Sequence, residues 1–251
     1  MIFGLLTGCK PSTSDFDRYL ENEGKEKVVK IVQEYLALHS EDVVQEAMGK
    51  ILKRRNLEGG SLAEKMKDRK EGIPTGDSPS KGPANAALTL IQFIDMQNPF
   101  SQQGHLTMKQ ILEKYPSSVR LVFKHNPMNY NEFARVTAIA AEAANSQGKF
   151  WEFYEKAISN QFHLTEANFQ LWAKELKLDL EKFNQDRKSA KTIGRVERDR
   201  EYARTSGISA SPIYFINGVR VLGAVPLGDF VEIIDALLVE KKENKEAEKK
   251  K

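Results

Sequence analysis

The 251-residue chain has little cysteine, little net charge and no long apolar run, and each shortage excludes a class of protein. It contains one cysteine, Cys9, so it has no pair of thiols for a redox site of its own. A formal net charge of +3, with basic and acidic residues intermixed, argues against a nucleic-acid-binding surface. No run of about 20 apolar residues occurs, so the sequence predicts no membrane-spanning helix. The remaining composition, 40% hydrophobic and 29% charged, is typical of a globular protein.

The one cysteine follows a short apolar segment. Residues 1–8 are apolar and end in small residues directly before it, as Leu6-Thr7-Gly8-Cys9. This resembles the lipobox of bacterial lipoproteins, in which the cysteine is acylated on sulfur and becomes the first mature residue. The segment is too short for a complete signal peptide. Either the start lies upstream and Cys9 carries a lipid anchor at the cell envelope, facing the periplasm, or Cys9 is a free thiol in an N-terminal arm.

Changes in composition divide the chain into five segments. Apolar stripes between Val28 and Leu52 predict amphipathic helices, which we expect to dock on the main domain or to join copies of the chain. A stretch rich in Gly, Pro and Ser, such as Gly72-Ile73-Pro74-Thr75-Gly76, predicts a flexible linker. The predicted organisation is a signal-like segment and tether (1–15), a helical extension (16–57), a linker (58–85), a compact domain (86–240) and a charged tail (241–251).

Within the compact domain, hydrophobic runs and turn residues predict an α/β fold. The order is β-α-β, a helical block, then β-β-α. The predicted elements are a buried strand (88–96), a helix (98–115), a strand (119–124), helices (134–158, 166–176 and 180–205), a hairpin (213–222) turning at Asn217-Gly218, and a last helix from Val225 to about Glu240.

One motif identifies a family. The first strand and helix carry Asp95-x-x-Asn98-Pro99-Phe100-Ser101-x-x-x-His105, which resembles D-x-x-C-P-F-C-x-x-x-H in the DsbA-like branch of the thioredoxin superfamily. The resemblance implies a thioredoxin fold with a helical insertion. Three further stretches match the same family, at residues 120–127, 138–151 and 207–218.

The two positions at which the family carries its redox cysteines are Asn98 and Ser101 in this chain. In working members the first cysteine lies at a helix N-terminus, which stabilises its thiolate, and the second resolves the mixed disulfide. Asn98 cannot act as a nucleophile, but Asn-Pro keeps a good helix start, because Asn is a preferred N-cap and Pro suits the first helical position. Ser101 is four residues from His105, so a serine nucleophile is conceivable, without an identifiable acid partner or oxyanion hole. We otherwise expect His105 to be a helix-face residue and no catalytic residue to remain.

Pro212 is the other residue that the resemblance singles out. In the family this proline is cis and faces the active-site helix, and the residue before it, here Ser211, offers its backbone to an extended peptide. Such pairing needs no cysteine. Alternatively, Pro212 only sets the entry to the next strand.

Three functions remain open from the sequence. The first is a redox-inactive protein that binds a peptide or an envelope protein in a chaperone or assembly role, with possible homo-oligomerisation through residues 28–52. The second is a thiol-disulfide oxidoreductase by family. The third is an enzyme of the superfamily that uses Ser101 or an external thiol. We favour the first, and we expect no metal, cofactor or nucleic acid to be involved.

Overall fold

The computed structural model describes residues 61–249. These residues belong to one compact unit of the chain that begins at Leu52. The predicted lipid site at Cys9, the helical extension (16–57) and the oligomerisation segment (28–52) lie outside the described residues.

The described residues form a mixed α/β domain in the predicted order. The helices are α1 (Leu62–Lys67), α2 (Pro99–Lys114), α3 (Ala134–Asn145), α4 (Phe150–Ser159), α5 (Glu166–Glu175), α6 (Leu180–Asp186), α7 (Ala190–Thr205) and α8 (Leu227–Lys249). The strands are β1 (Ser80–Lys81), β2 (Leu88–Ile94), β3 (Val119–His125), β4 (Ile213–Ile216) and β5 (Val219–Leu222). The predicted hairpin is the β4–β5 pair.

The five strands make one sheet in the order β1-β3-β2-β4-β5. β2 lies at its centre, parallel to β3 and antiparallel to β4, with Leu90 opposite both Leu121 and Ile216. Side chains of β2 alternate between two apolar clusters because successive residues point to opposite faces. Leu90 and Ile94 face the larger cluster, under helices α2, α3, α4 and α8, and Phe93 faces the smaller one, near the end of α7.

Two predicted long helices are each divided in two, which corrects the sequence analysis. The helix predicted over 134–158 ends at Asn145 because Gly148 has a φ of +72°, which stops the helix before α4 begins. The helix predicted over 180–205 is interrupted after Asp186. Ser189 then starts α7 by accepting a hydrogen bond from Thr192 N–H on its side chain.

The prediction of a flexible linker over 58–85 is wrong for its described part, residues 61–85. Ser61 caps α1 in a capping box with Glu64, and Ser80 in β1 pairs with Val122 of β3. Between them, the backbone of Arg69 forms an isolated antiparallel β-bridge with Val219 of β5, and its side chain forms an ion pair of 2.5 Å with Glu240. Gly and Pro in this segment therefore shape a docked strap that runs between the two edge strands of the sheet.

The charged tail predicted from residue 241 is helical as far as Lys249, because it continues α8 without interruption. In the first half of that helix Phe230, Ile234 and Leu237 are buried, whereas residues 241–249 are exposed. None of the helices in the described residues is both long and apolar enough to cross a membrane.

Candidate functional site

The candidate site forms where β2 ends and α2 begins. Asp95 follows β2, Asn98 starts α2, and the loop of residues 207–212, called here the proline loop, leads into β4. These segments meet because β2 pairs with β4, which brings Phe93 opposite Ile213. The structure thus brings together Asn98, Ser101 and Ser211, as the sequence analysis expected.

Asn98 and Pro99 build the start of α2 as predicted. Asn98 Oδ1 accepts a hydrogen bond of 2.9 Å from Phe100 N–H, and Pro99 occupies the first helical position. The amide thus satisfies one of the free N–H groups that a thiolate would otherwise face.

Ser101 lies inside the site rather than on its surface. Its side chain is 0% exposed, and its Oγ is 3.3 Å from Ser211 Oγ. Ser211 Oγ in turn accepts a hydrogen bond of 2.6 Å from Asp95 N–H. The two serine hydroxyls therefore join α2 to the proline loop by hydrogen bonding.

The Asp95 carboxylate holds a third segment in place. Its Oδ2 accepts hydrogen bonds from Met128 N–H and Asn131 Nδ2, and its Oδ1 accepts one from Gln97 N–H. Burial raises the pKa of Asp95, although these hydrogen bonds oppose the rise. Asp95 is a positioning residue, because one side chain fixes the loop after β3 against the start of α2.

The Ser211–Pro212 peptide bond is cis. Both residues are buried, with Ser211 8% exposed and its hydroxyl directed inward to Ser101 and Asp95. A peptide could therefore engage this residue only through its backbone. Peptide binding at Ser211 and Pro212 stays a prediction.

His105 does not complete a serine nucleophile. Its ring makes an edge contact with Tyr154, with the centroids 5.1 Å apart, and its Nε2 is 3.8 Å from Glu155. The Ser101 hydroxyl instead faces Ser211. His105 is a buried helix residue beside the site, in line with the alternative favoured from the sequence.

Substitution of His105 should change how stability depends on pH. Burial lowers the pKa of His105 to about 4 from 6.5, against the opposing charge of Glu155. Between these two pH values the unfolded chain binds the proton more readily, so the free energy of unfolding falls as pH falls from 6.5 to 4. We expect His105→Gln to remove on the order of 1 to 3 kcal/mol of this loss, measured by urea unfolding at pH 7, 5 and 4. The exposed control His163→Gln should leave the slope unchanged; equal slopes for both variants would contradict the burial argument.

A cluster of unpaired polar atoms lies between α2 and the sheet. Within the described residues, the hydroxyls of Tyr154 and Tyr214 and both amide atoms of Gln92 are buried without a hydrogen-bond partner. Gln92 lies directly opposite Tyr214 on neighbouring strands. Gly104 closes this cluster from the helix side, because a Cβ added there would lie 1.9 Å from the Tyr214 hydroxyl.

We expect Gly104→Ala to destabilise the domain by about 1 to 3 kcal/mol, because the added methyl group overlaps the hydroxyl of the fully buried Tyr214. Tyr214→Phe removes an unpartnered hydroxyl and should be neutral or stabilising. In the double variant Gly104→Ala/Tyr214→Phe, the atom nearest to the new methyl group is the Cζ ring carbon of residue 214, at 3.2 Å. Most of the stability lost in Gly104→Ala should therefore be recovered. Chemical unfolding of the four proteins measures this coupling; additive effects would contradict it.

Two exposed aromatic side chains belong to loops that contact the first turn of α2. Tyr130 is 71% exposed, and burial raises the pKa of its hydroxyl, which the Asn98 side chain opposes. Phe162 is 79% exposed and follows Gln161, whose amide donates to Gln102 on the first turn of α2. Sequence reasoning missed both, since a single Tyr or Phe in a loop has no pattern that marks it as exposed.

A buried ionic network lies behind the site, at the end of β3. Asp199 on α7 accepts hydrogen bonds from Lys124 Nζ at 2.9 Å, Arg195 at 2.9 Å and His125 N–H at 3.1 Å. His125 Nε2 is 2.9 Å from Glu142. Burial alone would raise the pKa of Glu142, but its contacts with His125 and Asn145 lower it. The network fixes α7 and α3 to β3, and the loop after β3 is the segment that Asp95 holds.

A cleft of about 490 Å³ opens beside the site, between the loop after β3, α7 and the proline loop. Pro127, Met128 and Ile208 supply its apolar lining, and two ion pairs of α7, Glu197–Arg200 and Glu201–Arg204, lie along one wall. No group of three or more His, Cys, Asp or Glu residues in the described part of the chain is placed to hold a metal ion.

The fold and the site define a thioredoxin-fold protein with a DsbA-type fold. A thioredoxin family model matches residues 75–236, so the chain belongs to the thioredoxin family. A thioredoxin-like oxidoreductase from Silicibacter pomeroyi has 23% identity and a TM-score of 0.59, with 63% of this chain and 91% of that chain covered. The thiol-disulfide exchange protein alpha-DsbA2 from Wolbachia pipientis has 19% identity and a TM-score of 0.60, over 70% and 94% of the two chains. These likenesses support the DsbA-type fold.

The chain is also similar to segments of much longer proteins. It is 33% identical over 141 residues to Na(+)/H(+) antiporter NhaA 3 from Salinispora tropica, covering 56% of this chain and 22% of the antiporter. It is 30% identical over 156 residues to the NhaA antiporter from Herminiimonas arsenicoxydans, covering 62% and 25%. The matched segments thus span about a quarter of the length of these curated relatives.

Proposed function

We propose that this protein binds extended polypeptides without exchanging disulfides, in a chaperone or assembly role in the cell envelope. The proposal is carried by a DsbA-type fold in which the two residues that the motif resemblance aligns with the family's cysteines are Asn98 and Ser101. Asn98 caps α2, and Ser101 is hydrogen-bonded to Ser211 in the proline loop. With Cys9 as its single cysteine, the chain cannot form a disulfide within itself.

Peptide binding is supported by the surface around these residues. Tyr130 and Phe162 expose large aromatic side chains beside the α2 N-terminus, and aromatic side chains contribute strongly to the energy of interfaces. A main-chain pairing at the proline loop would supply affinity with little dependence on sequence.

The alternatives have less support. Membership of the thioredoxin family favours disulfide exchange at the level of the family, but that reaction needs thiols that residues 98 and 101 do not supply. Catalysis by Ser101 is disfavoured by its complete burial and by its contact with Ser211 in place of a base.

The location is part of the proposal. One structural neighbour is a periplasmic thioredoxin-like protein from Salmonella enterica. The lipobox-like Leu6-Thr7-Gly8-Cys9 would place this chain in the same compartment by a lipid on Cys9, with an envelope protein as partner. We propose that the matched segments of the NhaA antiporters are thioredoxin-like domains, and we assign no ion transport to this chain.

Binding of a fluorescein-labelled, cysteine-free, unstructured peptide library, measured by anisotropy, tests the proposal. We expect binding by the parent protein, no reduction of insulin disulfides, and at least fivefold weaker binding by Tyr130→Ala/Phe162→Ala. Leu171→Ala, at an exposed apolar residue on α5, is the matched control and should bind as the parent does. Disulfide turnover by the parent, or no binding to any library member, would overturn the proposal.

A further inference from the structure

The last two turns of α8 carry lysines on one side of the helix. Lys242, Lys245 and Lys249 are three and four residues apart, so their side chains lie on one face, called here the lysine face. All three residues are exposed, and none of them forms an ion pair with another residue in the described range. Their ammonium groups are therefore available to an anionic partner.

Contacts at the preceding residues direct the lysine face away from the domain. Glu240 pairs with Arg69 of the strap. Lys241 donates a hydrogen bond to Ala87 O, just before β2 begins. With about 3.6 residues per turn, Glu240 lies roughly half a turn around the helix axis from the centre of the lysine face. The helix continues for about 12 Å beyond Lys241, so the lysine face projects outward near the start of β2, whereas Asp95 follows its end.

The other residues of this helix end leave charge as its main means of binding. Glu243 and Glu248 lie about a quarter of a turn or more from the centre of the lysine face, and Glu246 lies at its edge. Ala247 is the single apolar residue of segment 241–249, so this end of α8 has no apolar stripe to insert into a membrane or to seat in a groove. In the strap beside it, residues 61–71 hold four basic and three acidic residues, so the strap does not oppose an anionic partner.

Among anionic partners, these properties favour a phospholipid surface over a protein or a nucleic acid. Protein interfaces are enriched in aromatic residues and Arg and depleted in Lys. Nucleic-acid recognition uses the planar guanidinium of Arg, which residues 241–249 lack along with any aromatic side chain. An anionic lipid surface attracts each nearby Lys without demanding a fixed geometry. An exposed row of lysines on a projecting helix meets that requirement.

We propose that the lysine face of α8 binds the anionic phospholipid headgroups of a membrane, as a peripheral contact that does not enter the hydrocarbon. The contact is separate from the proposed peptide-binding surface, and it needs no lipid on Cys9. It turns the start of β2 toward the membrane and leaves the candidate site free. Because exposed charges are screened by ions, the attraction falls as the salt concentration rises.

Co-sedimentation of the full, unlipidated chain with vesicles tests the inference. The vesicles consist of phosphatidylcholine with about 30% phosphatidylglycerol, or of phosphatidylcholine alone. We expect the parent protein to bind the anionic vesicles at least tenfold more tightly than the neutral ones, with binding lost at about 1 M salt. Lys242→Gln/Lys245→Gln/Lys249→Gln should weaken binding to the anionic vesicles at least tenfold. Gln and Lys have similar helix propensities, so this variant keeps the helix.

A second triple variant controls for the change in net charge. Lys174→Gln/Lys177→Gln/Lys188→Gln removes three exposed lysines elsewhere in the domain and should bind the anionic vesicles within twofold of the parent. Equal losses in the two triple variants would reveal a general effect of charge and would overturn the inference. Equal binding of the parent to both kinds of vesicle, no binding to either, or tighter binding to a DNA duplex at the same phosphate concentration would overturn it as well.

Discussion

Replacing Asn98 and Ser101 together by cysteine should give the protein measurable thiol-disulfide turnover. Position 98 is the N-cap of a 16-residue helix, where the free N–H groups and the helix dipole stabilise a thiolate. Position 101 lies one turn further on and is fully buried, so its thiol is placed to resolve a mixed disulfide. Insulin reduction in a Cys9→Ala background, where no other thiol contributes, measures the gain.

The single variants are the controls for this expected gain. Asn98→Cys alone should react with iodoacetamide with a midpoint below the ordinary thiol pKa, and should stop at a mixed disulfide. Ser101→Cys alone should be unreactive, because residue 101 is 0% exposed. A folded double variant that forms no internal disulfide would show that the two positions do not have the geometry of a redox pair.

Removing the Asp199 carboxylate should give the largest loss of stability among single substitutions of the ionic network. Asp199→Ala leaves Lys124 and Arg195 without their shared partner, and both side chains are buried. Breaking a buried pair on one side typically costs about 3 to 5 kcal/mol, because the remaining charge is desolvated without compensation. Urea unfolding at pH 7 measures the loss.

Two companion variants separate burial from charge. Glu201→Ala, two residues further along α7, breaks an exposed pair with Arg204 and should change stability little. Adding Lys124→Met to Asp199→Ala removes the buried ammonium and should recover part of the loss. An effect of Asp199→Ala no larger than that of Glu201→Ala would mean that water reaches the network.

Much of the fold could be predicted from local signals. The hydrophobic run of β2, the Asn98-Pro99 helix start and the Asn217-Gly218 hairpin each depend on neighbouring residues, and the structure confirms all three. The family resemblance placed the loop with Pro212 against the helix with Ser101, but it did not predict the hydroxyl contact between Ser101 and Ser211, which are 110 residues apart.

The features that could not be predicted from the sequence are formed by residues that lie far apart along the chain. The strap at residues 61–85 has a linker's composition, and it is ordered by Glu240 and Val219, which no local pattern connects to Arg69. Asp199 and Lys124 look like ordinary surface charges until α7 covers the end of β3. The cleft is equally invisible, because its walls come from three separate segments of the chain.

The strap, residues 61–85, is attached at the end of the domain opposite to the candidate site. Lys70 N–H donates a hydrogen bond to Gly218 O in the β4–β5 turn. The neighbouring Asn217 is hydrogen-bonded to Thr89, near the start of the central strand β2. Asp95 ends the same strand six residues later, about 20 Å away at 3.3 Å per residue. The chain thus enters the domain at one pole and presents Asn98, the proline loop and the cleft at the other. A biosensor chip or bead coupled just before Ser61 would leave the pole with the proposed binding site turned toward solution, whereas coupling through the loop after β3 would block that pole.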